Sequence, residues 1–463
     1  MKMNLWDYSI WSAVIQFGII FSSIILGNII SRRVPFIKTS LVPASVVAGI
    51  IIFILKFIPW VNDNLIDSSF MESLTYHCLG LGFIAVSLKT ADKKRKNEKG
   101  IILNSGIITV NGYLIQALLG LGATILLSVT LFKDLFYAAG LLLPMGFGQG
   151  TGQALNFGKL YENLGFKNGT AFGLAIAAIG FLVACIVGVI YLNVLKKQGK
   201  ISIQLARKDN SNDQKIAVYE SQEAPLSQSV DKFTIQIGLV LACYVITYLV
   251  MLVLSTIAVN FLGDFGVNTI RPLIWGFNFL IGTIVAIISK VVMNKLREKG
   301  IMRYKYANNH YMSRISGMFF DVMIVAGIAA INWQDLSGIF WPLIIVCILG
   351  GIATFLYIRF VCKKIYPEYE HEAFFSIFGM LTGTASTGMI LLRELDPNFE
   401  TPASTNLIFQ QVPAIVFGAP LLLLMGFAGQ NMKNALIVLL VVVGMFIIYN
   451  IILFRKSFFK NKK

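Results

Sequence analysis

Phe136-Tyr-Ala-Ala-Gly-Leu-Leu-Leu-Pro-Met-Gly-Phe-Gly-Gln-Gly-Thr-Gly-Gln-Ala-Leu-Asn156 is neither an ordinary helix nor an ordinary loop. A short apolar arm leads into a run of glycine and small polar residues, and a second short arm leads out. The same pattern returns in Ala373-Phe-Phe-Ser-Ile-Phe-Gly-Met-Leu-Thr-Gly-Thr-Ala-Ser-Thr-Gly-Met-Ile-Leu-Leu392. A bilayer span needs about 20 apolar residues, and irregular backbone at membrane depth survives only where protein or a polar cavity satisfies it. Each stretch therefore reads as a re-entrant hairpin. Setting Gly146 on Gly379, an offset of 233 positions, places Gly150 on Gly383, Thr151 on Thr384 and Phe166 on Phe399.

The rest of the chain supplies the membrane context. Of 463 residues, 56% are hydrophobic and only 13% charged, with a mean hydropathy of +0.73. That balance excludes a soluble enzyme, a secreted disulfide domain and a disordered chain. The apolar runs are continuous rather than alternating, which excludes a barrel. What remains is an all-α polytopic membrane protein. The first half offers spans at Trp11–Ile30, Leu41–Trp60, Leu74–Leu88, Ile101–Leu131 and Thr170–Leu195. The second offers Phe233–Phe261, Ile270–Met293, Ile315–Ile331, Ile339–Val361 and Thr405–Met425, and an extra helix, Ala435–Phe454, follows. Met1 to Asn28 lacks a small-residue cleavage site and reads as the first span rather than a signal peptide. The expected organisation is a first repeat over 1–197 with its hairpin at 136–157, a polar linker over 198–230, a second repeat over 231–430 with its hairpin at 372–392, and a C-terminal helix and basic tail over 431–463.

Charge gives orientation. The formal net charge is +16, and the basic residues gather after every odd-numbered span. Arg32, Arg33 and Lys38 follow the first; Lys93, Lys94, Arg95 and Lys96 the third; Lys196, Lys197 and Lys200 the fifth; Lys290, Lys295, Arg297, Lys299 and Arg303 the seventh; Arg359, Lys363 and Lys364 the ninth. Val61–Met71 carries Asp63 and Asp67 but no Lys or Arg. The positive-inside rule puts the N-terminus outside and the C-terminus inside the cytoplasmic membrane, and removes nucleic acid as the reason for the charge. Five spans per half is an odd number, so the second repeat runs inverted. The first hairpin then enters from outside and the second from the cytoplasm. Inverted repeats with broken helices near the midplane are the mark of secondary transporters. The five cysteines, Cys78, Cys185, Cys243, Cys347 and Cys362, lie in or beside apolar runs without paired spacing and read as small apolar residues.

The residue types at the two tips have a direct chemical use. Glycine lets backbone turn sharply and approach a ligand. Half-helix N-termini offer N–H groups and partial positive charge to an anion. Free carbonyls and threonine hydroxyls are hard oxygen ligands suited to Na⁺. One such stretch alone is equally well explained by close helix packing; two at equivalent places in inverted halves favour a site. A phosphate loop would need Gly-Lys-Ser/Thr after a strand, and no lysine follows these glycines. The expected substrate-binding residues are Gly146, Gly148, Gln149, Gly150, Thr151, Gly152 and Gln153 from the first tip. The second tip gives Thr382, Gly383, Thr384, Ser386 and Thr387. Thr151 and Thr384, with Asp321, are candidate Na⁺ ligands. No cofactor beyond the coupling ion is expected.

At these residues the sequence resembles the bacterial glutamate:sodium symporter family, which is related in fold to the 2-hydroxycarboxylate carriers. The match is carried by Gly148-Gln-Gly-Thr-Gly-Gln-Ala154, Tyr161-Glu-Asn-Leu-Gly-Phe166 and Gly173-Leu-Ala-Ile-Ala-Ala178, then by Gly379–Gly388 and Glu400-Thr-Pro402. The resemblance covers roughly Trp11 to Gln430. It implies paired hairpins on the translocation path, Na⁺-driven uptake of an acidic amino acid and a homodimer. One departure is chemical: where the family typically carries a histidine before Gly-Thr, this chain has Gln149, which cannot titrate near neutral pH.

Other polar residues have competing readings. Asp321, inside the eighth span, binds Na⁺ or a substrate ammonium, or else pairs with Arg314 or reaches water. Asn111, Gln116 and Asn278 line the path or hydrogen-bond between helices. His77 and Cys78 are adjacent and cannot face one metal together. His371 opens the second hairpin and is a candidate gate, Arg393 and Glu394 mark that hairpin's cytoplasmic end, and Pro413 and Pro420 kink the tenth span. The rival functions are a carrier of a di- or tricarboxylate, a proton-coupled carrier, and a channel or sensor on the same fold. No triad, HExxH or carboxylate pair at suitable spacing supports an enzyme.

Overall fold

The computed structural model describes residues 7–35, 37, 42–89, 99–199, 201, 232–301, 307–396 and 401–460. Most of the polar linker lies outside these residues, as do the basic run 93–96, Phe399 and Glu400. Nine of the described helices are long and apolar enough to cross a membrane, so the chain is a multi-pass membrane protein. In chain order the helices that matter here are α1 (Tyr8–Arg33), α2 (Ala44–Leu55), α3 (Ser68–Leu88), α4 (Lys99–Val129), α5 (Leu142–Gln149), α6 (Thr151–Asn163) and α7 (Gly169–Lys197). The second half gives α8 (Lys232–Phe265), α9 (Arg271–Gly276), α10 (Asn278–Glu298), α11 (Asn309–Ala330), α12 (Phe340–Ile365), α13 (Glu370–Thr382), α14 (Ala385–Arg393), α15 (Pro402–Phe409), α16 (Gln411–Ala428) and α17 (Met432–Lys460).

Three expected spans differ from the sequence reading, each for a local reason. Leu41–Trp60 shrinks to α2, which ends at Leu55, four residues before Pro59. Thr405–Met425 splits into α15 and α16, and α15 ends at Phe409, four residues before Pro413. A proline ring clashes with the carbonyl four residues back and lacks the N–H that would bond it. Ile270–Met293 splits at Phe277 (φ −92°, ψ 23°), where no proline follows; Pro272 sits harmlessly in the first turn of α9. There the carbonyls of Trp275 and Gly276 are taken by side chains instead: Tyr76 Oη donates to the first and Asn156 Nδ2 to the second, both at 2.8 Å.

The helices sort into two packed bodies, each drawing on both halves of the chain. A scaffold is built from α1–α3 and α8–α11, around the pair α3 and α11. These two run antiparallel: Ser68 Oγ at the start of α3 donates to Asn332 Oδ1 just past α11, 3.2 Å away, and the ring of Phe320 lies over Gly82. The core body contains α4–α7 and α12–α17, with both Gly-rich stretches inside it. Its helices come close where glycine removes the side chain, as where the backbones of Gly120 and Gly140 touch.

Three hydrogen-bond devices recur between the halves of the scaffold. Gln16 on α1 accepts from the Asp67 N–H at 3.3 Å, and Gln236 on α8 accepts from the Asn308 N–H at 3.0 Å. Asp67 caps α3 through the N–H groups of Ser69 and Phe70, and Asn308 caps α11 through those of His310 and Tyr311. Lys56, after α2, donates to the Ala329 and Ile331 carbonyls at the end of α11; Lys290, on α10, donates to the Ser87 and Lys89 carbonyls at the end of α3. Because α3 and α11 are antiparallel, the two lysines lie at opposite ends of the scaffold.

Candidate functional site

Each Gly-rich stretch folds as a helix, a break and a second helix. In the first, α5 stops at Gln149 and α6 starts at Thr151, with Gly150 between them at φ 82°, ψ −170°. That region is essentially reserved for glycine. In the second, α13 stops at Thr382, Gly383 turns the chain at φ −140°, and Thr384 is extended and caps α14 through the Thr387 N–H at 3.4 Å. The two breaks meet. A Cβ built on Gly150 would lie 3.5 Å from Thr384 Cγ2.

The meeting point has a simple electrostatic character. The N-termini of α6 and α14 start there, and the C-termini of α5 and α13 end there. Each N-terminus carries roughly half a positive charge and several unpaired N–H groups, and each C-terminus the reverse with unpaired carbonyls. No ionisable side chain occurs from Gly146 to Gln153 or from Thr382 to Thr387, so backbone dipoles dominate the local field. The arrangement can receive an anion on one pair of termini and a cation on the other.

The expected site residues have separate fates. Gly150, Thr151, Gly383 and Thr384 are the junction itself. Gln153 is 1% exposed, and neither amide atom has a hydrogen-bond partner among the described residues. Gln149 is half-buried, and Thr387 is buried beside its cap. Gly146 and Gly152 serve packing: a Cβ would meet Ile176 and Ala177 of α7 in the first case, and Leu79 and Met323 in the second. Gly148 makes room for the ring of Tyr113, whose Oη donates to the Gly148 carbonyl at 3.4 Å. Thr382 donates back to the Phe378 carbonyl within α13. Ser386 lies in α14, but its side chain is outside what the structure describes.

Asp321 is not brought to this junction. On α11 it shares a face with Ile328, which packs over Gly49 of α2, and its carboxyl lies beside the Ser45 hydroxyl. The face of α11 that reaches the junction is that of Met323 and Gly327: Thr151 Oγ1 donates to the Met323 carbonyl at 3.2 Å, and Gly327 leaves room for the Thr151 side chain. Asn278 donates to the Tyr76 carbonyl at 3.0 Å, and His77 hydrogen-bonds Tyr244 at 2.8 Å, which explains both within the scaffold.

Sequence reasoning gave too little weight to three glutamines near the junction. Gln116 Nε2 donates to Thr354 Oγ1 and to the Leu381 carbonyl, both at 2.9 Å, so it holds the end of α13, while its Oε1 is buried without a partner. Gln410 and Gln411, at the break of the tenth span, both aim an amide at Met380 Sδ. The Gln-Gln pair three residues before a proline in an apolar run was the signal for that cluster.

A family model described as sodium/glutamate symporter matches residues 10–392. No curated protein matches the chain. The family match spans both Gly-rich stretches and the scaffold helices; α15, α16 and α17 lie beyond it.

Proposed function

Because the chain belongs to the sodium/glutamate symporter family, we propose that it carries glutamate or a similar anionic amino acid into the cell together with Na⁺, by alternating access across the cytoplasmic membrane. The observation that carries this reading is the meeting of Gly150 with Thr384, which brings two half-helix N-termini and two half-helix C-termini to one point. Substrate carboxylates sit on the N–H groups that open α6 and α14, with Gln149, Gln153 and Thr387 beside them. Na⁺ takes carbonyls ending α5 and α13 together with the hydroxyls of Thr151 and Thr384. These are the groups an anion and a hard cation respectively require.

The core body moves against the scaffold and carries this junction with it. The recurring Gln, Asx and Lys devices support two inverted repeats, since each joins equivalent spans at opposite ends. The N-terminus lies outside, the C-terminus inside, and the protein works as a homodimer. Uptake of labelled glutamate into proteoliposomes, with and without an inward Na⁺ gradient, tests the reading. The expected result is uptake that rises with the gradient and is competed by acidic amino acids. Gradient-independent, non-saturating passage would instead indicate a channel, and competition by di- or tricarboxylates alone would reassign the cargo.

A further inference from the structure

The core touches the scaffold mainly through one helix, α6, and that helix carries a row of polar contacts. Thr151 Oγ1 donates to the Met323 carbonyl. Asn156 Nδ2 donates to the Gly276 carbonyl at 2.8 Å, at the break of the seventh span. Lys159 Nζ lies 2.8 Å from Glu72 on α3 and 3.4 Å from Glu162 on its own helix. Asn156 and Lys159, three residues apart, fall on one face of a helix of 3.6 residues per turn, and Thr151 stands at its start. From Thr151 to Tyr161 every residue except Lys159 is buried.

The second hairpin has no such row. At the same offset of 233, Thr384 matches Thr151, but α14 presents Met389 and Leu392 where α6 has Asn156 and Lys159. Neither Met389 nor Leu392 carries a hydrogen-bond donor or a charge. In the observed conformation α14 packs on the core helices α7, α13 and α15 rather than on the scaffold; Ala385 is exposed, and Met389 and Ile390 are half-buried. The first hairpin is therefore docked on the scaffold and the second is not.

We propose that Asn156 and Lys159 are positioning residues for transport: with Gly276 and Glu72 they latch the core in the state that has the first hairpin docked, and make it the resting state of the carrier. The opposite state docks α14 without counterparts of Asn156 and Lys159, so the two end states are unequal by construction. The inference rests on the two-body carrier reading but not on the identity of the cargo.

The test reads conformation, not uptake. Ala385→Cys is introduced into the full-length protein, whose five native cysteines are all buried, and its rate of reaction with a membrane-impermeant maleimide is followed in vesicles of both orientations. With α6 latched, this cysteine is expected to react. Asn156→Ala combined with Lys159→Ala is expected to slow labelling by about five-fold or more, the scale of one lost hydrogen bond. Lys159→Glu alone is expected to slow labelling likewise, and adding Glu72→Lys with Glu162→Gln, which removes the like charge beside residue 159, is expected to bring it back towards the parent rate. Labelling unchanged in the double alanine variant, or a loss in Lys159→Glu that the charge exchange does not recover while the protein remains folded and inserted, would overturn the latch. A carrier for some cargo other than glutamate would give the same labelling pattern, so failure of the latch and failure of the functional reading are separable.

Discussion

Gly150 and Gly383 occupy equivalent places in the sequence but different backbone states. Gly150 sits at φ 82°, whereas Gly383 is at φ −140°, and its missing Cβ would lie 3.0 Å from Thr387 Oγ1. Gly150→Ala is therefore expected to lower stability by roughly 1–3 kcal/mol and to abolish uptake. Gly383→Ala asks the Thr387 side chain and the Gly379 carbonyl to give by a few tenths of an ångström, and is expected to melt closer to the parent in a detergent thermal scan. Gln153 allows a sharper separation of structure from function. Its amide is buried without partners, so Gln153→Leu removes a polar group that costs the fold without returning a bond. The melting temperature is expected to hold or rise while uptake is lost; retained uptake would remove Gln153 from the site. The glycine run itself was legible as a tip. Which glycines turn the chain and which admit a neighbour was not, because that depends on Ile176, Leu79 and Met323, far away in sequence. Asp321 stood out for its charge, but the face it occupies is set by α2.

At the scale of the helices, the ends carry the specific chemistry. Lys56 is 5% exposed and satisfies two terminal carbonyls of α11 as well as Ser68 and Asn332. Lys290 is half-buried and serves two carbonyls of α3. Lys56→Met strands buried acceptors, at about 1–3 kcal/mol; Lys290→Met leaves its carbonyls within reach of water and is expected to cost less, as thermal scans of the two variants would show. Asp67 adds a pH dependence. The Ser69 hydroxyl, together with the N–H groups it caps, holds its carboxyl below the usual range. The cap thus contributes fully above the unfolded carboxylate pKa and is lost as pH falls through the lower folded value. Asp67→Asn keeps the cap acceptor without the charge, as Asn308 does in the other half, and is expected to flatten that acid-side slope of melting temperature against pH. Helix existence was legible from apolar runs, and the break of the tenth span from Pro413; the end of α2 before Pro59 was masked by the apolar run that continues to Trp60. The break at Phe277 was not legible, because side chains of α3 and α6 complete it rather than any local residue.

At the scale of the whole molecule, the two broken helical stretches could be read from sequence, but the partition into scaffold and core could not. Lipid is as apolar as leucine, so hydropathy does not distinguish a face packed on protein from one packed on lipid. α1 and α17 bury little of their surface and α11 buries most of it, yet all three read as spans. Lys159 was the one overlooked clue, a lone cation in a half-helix that lies against Glu72 of the other body. The partition makes a strict demand: if the core moves, a covalent link across the boundary must stop transport. Asn156 and Gly276 face each other there, with 4.0 Å between the Asn156 Cβ and a Cβ built on Gly276, inside the range of about 3.5–4.5 Å that a disulfide bridges. Asn156→Cys with Gly276→Cys is therefore expected to form a disulfide on oxidation, to stop uptake in that state, and to recover uptake up to the level of the reduced double variant when dithiothreitol is added. Each single variant should be indifferent to oxidant. Undiminished uptake with the disulfide fully formed would mean that α6 and α9 travel together, and would move the boundary between the bodies elsewhere.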